Sequence, residues 1–208
     1  MISEKAGRIA VQEETRAPYA TDGTDFQGAL KHHRTTALKR FAKRAAIFGL
    51  MWSQIFVTRT DYLLPIAIVG FLGLLISMIR LSSSLSWARR CSRLFRTYPV
   101  VFRGPVQQIS GERHNCFTVR FGRESSGSPT MAGTNLSGKG WPASGSAGVW
   151  FAGDDLFGGA ALVPITGELL FMQPHDWPLT SEQRASAPAD RIAMAGQAGI
   201  KGYVSLRS

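Results

Sequence analysis

Apolar and polar positions change their period twice along the chain. "YLLPIAIVGFLGLLISMI", Tyr62 to Ile79, runs for 18 residues without a charge. As a helix it rises about 27 Å, close to the roughly 30 Å of a bilayer's hydrocarbon layer. Pro65 sits in the first turn, where its missing N–H costs little. A helix apolar on every face predicts a membrane span. Its core is Tyr62, Leu63, Leu64, Pro65, Ile66, Gly70, Phe71, Leu74, Leu75 and Ile79, and Tyr62 and Trp87 suit the two interfaces. A shorter run, "AAIFGLMWSQIFV", spans Ala45 to Val57, and extends back to Phe41 if Lys43 and Arg44 snorkel. Together the runs, about 41–57 and 62–81, predict a transmembrane helical hairpin turned by Thr58 to Asp61. Gly49 and Ser53 form the small pair that lets the helices approach. The alternative is an interfacial or re-entrant first helix.

The flanking stretches are basic and helical in pattern. "FQGALKHHRTTALKRFAKR" predicts a helix from Phe26, with Thr24 and Gln27 at capping-box spacing and His32 and His33 on a solvated face. "RLSSSLSWARRCSRLFR" continues the second helix until Tyr98-Pro99, since proline disfavours helix in the residue before it. Residues 1–25 are polar and predict a disordered tail.

From Val100 the period becomes two. In "CFTVRF", Phe117, Val119 and Phe121 share one side, the pattern of a half-buried strand. Val100–Ser110 predicts a strand interrupted at Gly104-Pro105, at a bulge or an edge. Thr130–Leu136, Gly148–Ala152, "AALVP" and "ELLFM" predict four more, with a flexible loop carrying Trp141 before Gly148. Short strands at this spacing predict a small antiparallel β-barrel-like domain, SH3-like or OB-like in size, over residues 98–178. The segment 179–208 predicts a mostly flexible C-terminal tail with a short helix near Asp190–Gln197.

Charge sharpens this picture. The net charge is +10, yet residues 104–178 carry net −2, while residues 82–103 hold five arginines and no acid. The positive charge therefore flanks the apolar segment rather than covering the β-domain. That fits basic juxtamembrane segments better than a nucleic-acid binder. Lys31, Arg34, Lys39, Arg40, Lys43 and Arg44 precede the first run, and Arg80, Arg89, Arg90, Arg93 and Arg96 follow the second. The positive-inside rule then predicts a multi-pass protein of the cell membrane with both termini cytoplasmic. Arg89, Arg90, Arg93 and Arg96 are the predicted contacts to lipid phosphates.

Candidate chemistry is sparse. Asp154 and Asp155 could hold a divalent ion or act in acid–base catalysis, but "GDDLFGG" is also a hairpin turn, and that reading is preferred. His114, Cys116 and His175 offer at most three scattered metal ligands. Cys91 and Cys116 form no disulfide framework, and no nucleophile-elbow, zincin or phosphate-loop motif occurs. No catalytic, cofactor or metal residue is therefore assigned.

"RRCSRLFRTYPVVFRGPV" and "GVWFAGDDLFGGAALVPITGELLFMQP" resemble stretches of a group of uncharacterised actinobacterial integral membrane proteins. That resemblance implies a two-helix membrane hairpin followed by a small β-rich cytoplasmic domain, and no activity. The expected protein is an α+β membrane protein, non-enzymatic, presenting its β-domain as a binding or scaffolding module. Its expected partners are membrane lipids and a cytoplasmic or membrane protein, with a homo-oligomer compatible and no nucleic acid. The alternatives are a membrane-associated enzyme using Asp154 and Asp155, and a nucleic-acid-binding module.

Overall fold

A computed structural model describes residues 25–58, 64–110, 116–122, 130–200 and 202. Two long helices lead: α1, Phe26–Thr58, and α2, Leu64–Thr97. Seven strands follow: β1 Val100–Arg103, β2 Val106–Ser110, β3 Cys116–Phe121, β4 Thr130–Asn135, β5 Val149–Asp154, β6 Gly158–Leu162 and β7 Leu169–Pro174. Two short helices close the described chain, α3 Ser181–Ala185 and α4 Ala189–Gln197.

The start of α1 is capped by Asp25, whose carboxylate accepts the Gly28 N–H at 2.7 Å. This satisfies one of the orphan donors of the first turn. The expected cap, Thr24, lies outside the described residues. At the other end of the helical region, α2 stops at Thr97, just before Tyr98-Pro99.

The helices form an antiparallel hairpin. Phe26 stacks on Phe95 with ring centroids 5.1 Å apart, His33 Nε2 lies 3.1 Å from Ser84 Oγ, and Trp52 meets Phe71 at 6.1 Å. The closest approach is at Gly70, where a β-carbon would lie 2.7 Å from the Trp52 backbone nitrogen and 2.8 Å from the Phe48 carbonyl oxygen. Glycine is required there because the other helix's backbone occupies the space. The expected contact pair was Gly49 and Ser53. Instead a β-carbon on Gly49 would meet nothing within 4 Å, and Ser53 Oγ donates to its own helix at the Leu50 carbonyl. Among the described residues, only α2 is long and apolar enough to cross a membrane. A helical hairpin is present, then; α1 is long enough, at 33 residues, but its described residues hold no window apolar enough to count as a span.

The strands make one antiparallel sheet in the order β1-β5-β6-β7-β4-β3-β2. Consecutive strands β1 and β2 therefore lie at opposite edges, joined by only Gly104 and Pro105, whose peptide is cis. A two-residue link reaches across about 10 Å at most, so the sheet curls until its edges meet there. The strand interruption expected at Gly104-Pro105 is a full break, which gives seven strands where five or six were expected.

Alternation along the strands divides the core in two. Phe117, Val119, Phe121, Met131, Phe151, Leu170 and Met172 fill the inside of the curl. Ala152, Ala160, Leu162, Leu169 and Phe171 point outward and meet Ala88, Cys91, Leu94 and Phe95 of α2 and Leu30 of α1. The sheet is thus docked against the C-terminal half of α2, with the first turns of α1 joining the same cluster. Trp87, expected at a membrane interface, instead packs on Phe171 of β7, with ring centroids 4.8 Å apart.

Two segments expected to be flexible have specific partners. Asn135 is buried and donates to the Gly140 carbonyl at 3.0 Å and to Glu168 Oε2 at 2.9 Å, while accepting from Ser137 N at 2.9 Å and Oγ at 2.8 Å. This network pins the loop that carries Trp141, whose ring meets Phe117 edge-on at 5.0 Å and closes the inner core. After Pro178, α4 buries Ala195 and packs Met194 against the outer core, as do Ala198 and Ile200 beyond it.

Candidate functional site

Asp154 ends β5, and Asp155 opens the three-residue connection to β6. Register pairs Asp154 with Gly158, where φ is +92°. That left-handed value is one glycine supplies and other residues resist, so the "DDLFG" stretch is a tight hairpin. Asp154 Oδ1 accepts the Leu156 N–H at 2.8 Å, the local bond typical of an aspartate turn.

The two carboxylates go to different partners. Asp154 is held by Arg191 of α4, from Nε at 2.8 Å and Nη2 at 2.7 Å. Asp155 is held by Arg103 of β1. Arg103 also lies over the Phe151 ring, 4.7 Å from its centroid, and over Phe121 at 5.4 Å. Burial by itself would raise the Asp154 carboxyl pKa. The Arg191 hydrogen bonds, joined by backbone N–H groups of Leu156 and Phe157, outweigh it and hold the group below the usual carboxylate range. Nearby, the Tyr98 hydroxyl is buried with no hydrogen-bond partner among the described residues. Burial, and then the Asp154 charge, push it up to about 12, against the opposing pull of Arg191.

A carboxylate locked in a bidentate arginine pair is poorly placed to take up a proton or a metal ion. Among the described residues no three His, Cys, Asp or Glu side chains converge. His114 lies outside the described residues. His175 contacts Asp176, with Nδ1 2.9 Å from Oδ1. A small cleft open to solvent lies between α2, β7 and the end of the described chain, lined by Arg90, Leu94, Phe171, Gln173, Trp177 and Ile200.

The more distinctive surface is the far end of the helical hairpin. Tyr62 and Leu63 lie outside the described residues. Leu64, Pro65, Ile66, Phe71, Leu75 and Ile79 are all exposed, Leu74 is half-buried, and Gly70 is buried against α1. Only 17% of the apolar window of α2 is buried. On α1, Ile47, Leu50 and Trp52 are likewise exposed. The described apolar stretch of α2, residues 64–79, is about 24 Å long. It stops abruptly at Arg80, beyond which the exposed α2 positions are Ser82, Ser86, Arg89, Arg93 and Arg96. An exposed apolar surface of this extent marks an interaction site, for a protein or for a membrane. Sequence reasoning found this stretch from its lack of charge. It missed Arg103 and Arg191 as the partners of the two aspartates, because those pairs join positions 52 and 37 residues apart.

No protein-family model, curated protein or solved structure matches the chain.

Proposed function

We propose that the protein is an integral membrane protein that holds a small β-domain in fixed orientation at the cytoplasmic face, as a binding or scaffolding module. The observation that carries this is the change of surface at Arg80. Above it α2 exposes apolar side chains on nearly every face, and below it the same helix is polar outside and buried under the sheet inside. α1 accompanies α2 into the bilayer, because at Gly70 the two backbones are too close to be parted by lipid. Its shorter apolar run is supported by that contact and by snorkelling of Lys43 and Arg44.

Basic residues on both helices below the apolar end support a cytoplasmic location for both termini. The β-domain then acts through binding. A catalytic role for Asp154 and Asp155 has less support, since each carboxylate is already bound by an arginine.

The test is alkaline extraction of membranes from cells expressing the full chain, with an epitope tag at the C-terminus. The protein is expected in the membrane pellet, with the tag reached by antibody only after permeabilisation. Release into the supernatant, or a tag reached on intact cells, overturns the proposal.

A further inference from the structure

Among the cations of the helical hairpin, Arg90 lies over the Trp87 ring, 5.3 Å from its centroid, and none has an ion pair among the described residues. Neither α1 nor α2 contains an aspartate or glutamate. In the β-domain, by contrast, Arg103, Lys139 and Arg191 each face a carboxylate. Lys39, Arg40, Lys43, Arg44 and Arg80 are all exposed, and none has an ion pair among the described residues.

Their heights coincide. The contacts of His33 with Ser84 and of Trp52 with Phe71 set the antiparallel register. That register brings Arg80 level with the stretch from Lys39 to Arg44. Five cations, four on one side of α1 and one on α2, therefore lie at the level where the exposed apolar surface of the hairpin ends. Arg89, Arg93 and Arg96 lie further along α2. At 1.5 Å per residue they sit about 14 to 24 Å below Arg80. A headgroup layer is only about 5–7 Å deep.

From this we infer that the group formed by Lys39, Arg40, Lys43, Arg44 and Arg80 is a binding surface for anionic phospholipid headgroups, and that Arg89, Arg93 and Arg96 are not. The inference rests on the membrane reading above and adds a lipid class and a set of residues to it. Phosphate oxygens of the leaflet supply the acceptors that the helices themselves lack. The group holds the hairpin at one depth, and the β-domain at one height below it. Arg40, Arg44 and Arg80 suit phosphate geometry through their paired N–H groups, while the two lysines act as point charges.

The test uses the full chain reconstituted into phosphatidylcholine vesicles with a minor fraction of spin-labelled phosphatidylglycerol or spin-labelled phosphatidylcholine. The fraction of immobilised probe is read at low and high salt. The expected result is a preference for phosphatidylglycerol that falls with salt. It drops about fivefold for each cation removed, and is lost when all five are changed to glutamine. Exchanging Lys for Arg and Arg for Lys within the group keeps it. So does the triple variant Arg89→Gln, Arg93→Gln, Arg96→Gln. Free inorganic phosphate at matched ionic strength has no added effect, which separates lipid from soluble anion. Equal immobilisation of the two probes overturns the inference, as does a preference that survives loss of the five or vanishes with the three. Failure of the protein to float with vesicles of any composition overturns the membrane reading as well, so the two failures are distinguishable.

Discussion

Arg191 clasps Asp154 through two hydrogen bonds, and so ties the last described helix to the β5–β6 turn. The Asp154 side chain is 13% exposed and that of Arg191 38%. Removing either partner leaves the other without its charge-assisted bonds. Arg191→Gln and Asp154→Asn are each expected to cost about 1–3 kcal/mol. Asp155→Asn is expected to cost less, about 1 kcal/mol or under, because that carboxylate is 43% exposed and its pair is screened. Thermal unfolding in detergent, followed by circular dichroism, measures all three.

The same pair gives a pH dependence. The Asp154 carboxyl is held below its ordinary value in the folded protein. The stability it contributes is therefore fully present above the unfolded pKa of about 4, and is lost as pH falls through the lower folded value. Unfolding of the parent protein is expected to become easier below about pH 4. Asp154→Asn should flatten that part of the profile, and an unchanged profile would exclude Asp154 as its source.

His33 works in a different window. Burial between the helices, with Arg40, His32 and Arg34 nearby, lowers its pKa below the ordinary 6.5. The unfolded chain then takes up the proton first as pH falls. Stability is unaffected well above pH 6.5 and declines as pH drops through that value toward the lower folded one. His33→Asn should remove this decline between about pH 7.5 and 5.5. Comparing melting temperatures at those two values decides it.

Gly70 allows the hairpin to close. Any side chain there meets the α1 backbone rather than a movable group. Gly70→Val is expected to destabilise the α1–α2 contact by about 1–3 kcal/mol or more. Gly49→Ala, by contrast, should be neutral or slightly stabilising, since its β-carbon has open space and alanine favours helix. A larger loss at Gly49 than at Gly70 would overturn this assignment of the contact.

Cys91 is fully buried between α2 and the sheet, and burial pushes its thiol up to about 12. At pH 8 its thiolate fraction is about a thousandfold below that of a free cysteine. Alkylation by iodoacetamide is expected to be negligible in the folded protein and rapid in denaturant. Mass spectrometry of the Cys91 peptide reads the ratio, and fast labelling without denaturant would show that the helix leaves the sheet.

Local patterns in the sequence carried a definite part of this architecture. The stop of α2 before Tyr98-Pro99, the alternation of Phe117, Val119 and Phe121, and the turn at Asp154-Asp155 all depend on neighbours within a few residues. What escaped depends on distant ones. Nothing near Gly104-Pro105 announces that β1 and β2 lie at opposite edges of the sheet, because that is set by pairing with β5 and β3. Gly49 and Gly70 are equally apt by spacing, and only the rotation of the two helices decides which one faces its partner. Arg103 and Arg191 look like ordinary surface cations until the curl of the sheet brings them to the hairpin turn.

The unbroken course of α2 has a mechanical consequence. Between Arg80 and Thr97 it is a stiff rod about 26 Å long, clamped at its lower end by Cys91, Leu94 and Phe95 under the sheet. In a bilayer such a rod is a lever. A 10° change in its tilt, well within the range that membrane helices adopt, swings the sheet by about 4–5 Å. In the proposed membrane placement, the β-domain therefore responds to the thickness of the surrounding bilayer, and a partner seated on the sheet would ride on a pointer whose angle the lipid sets.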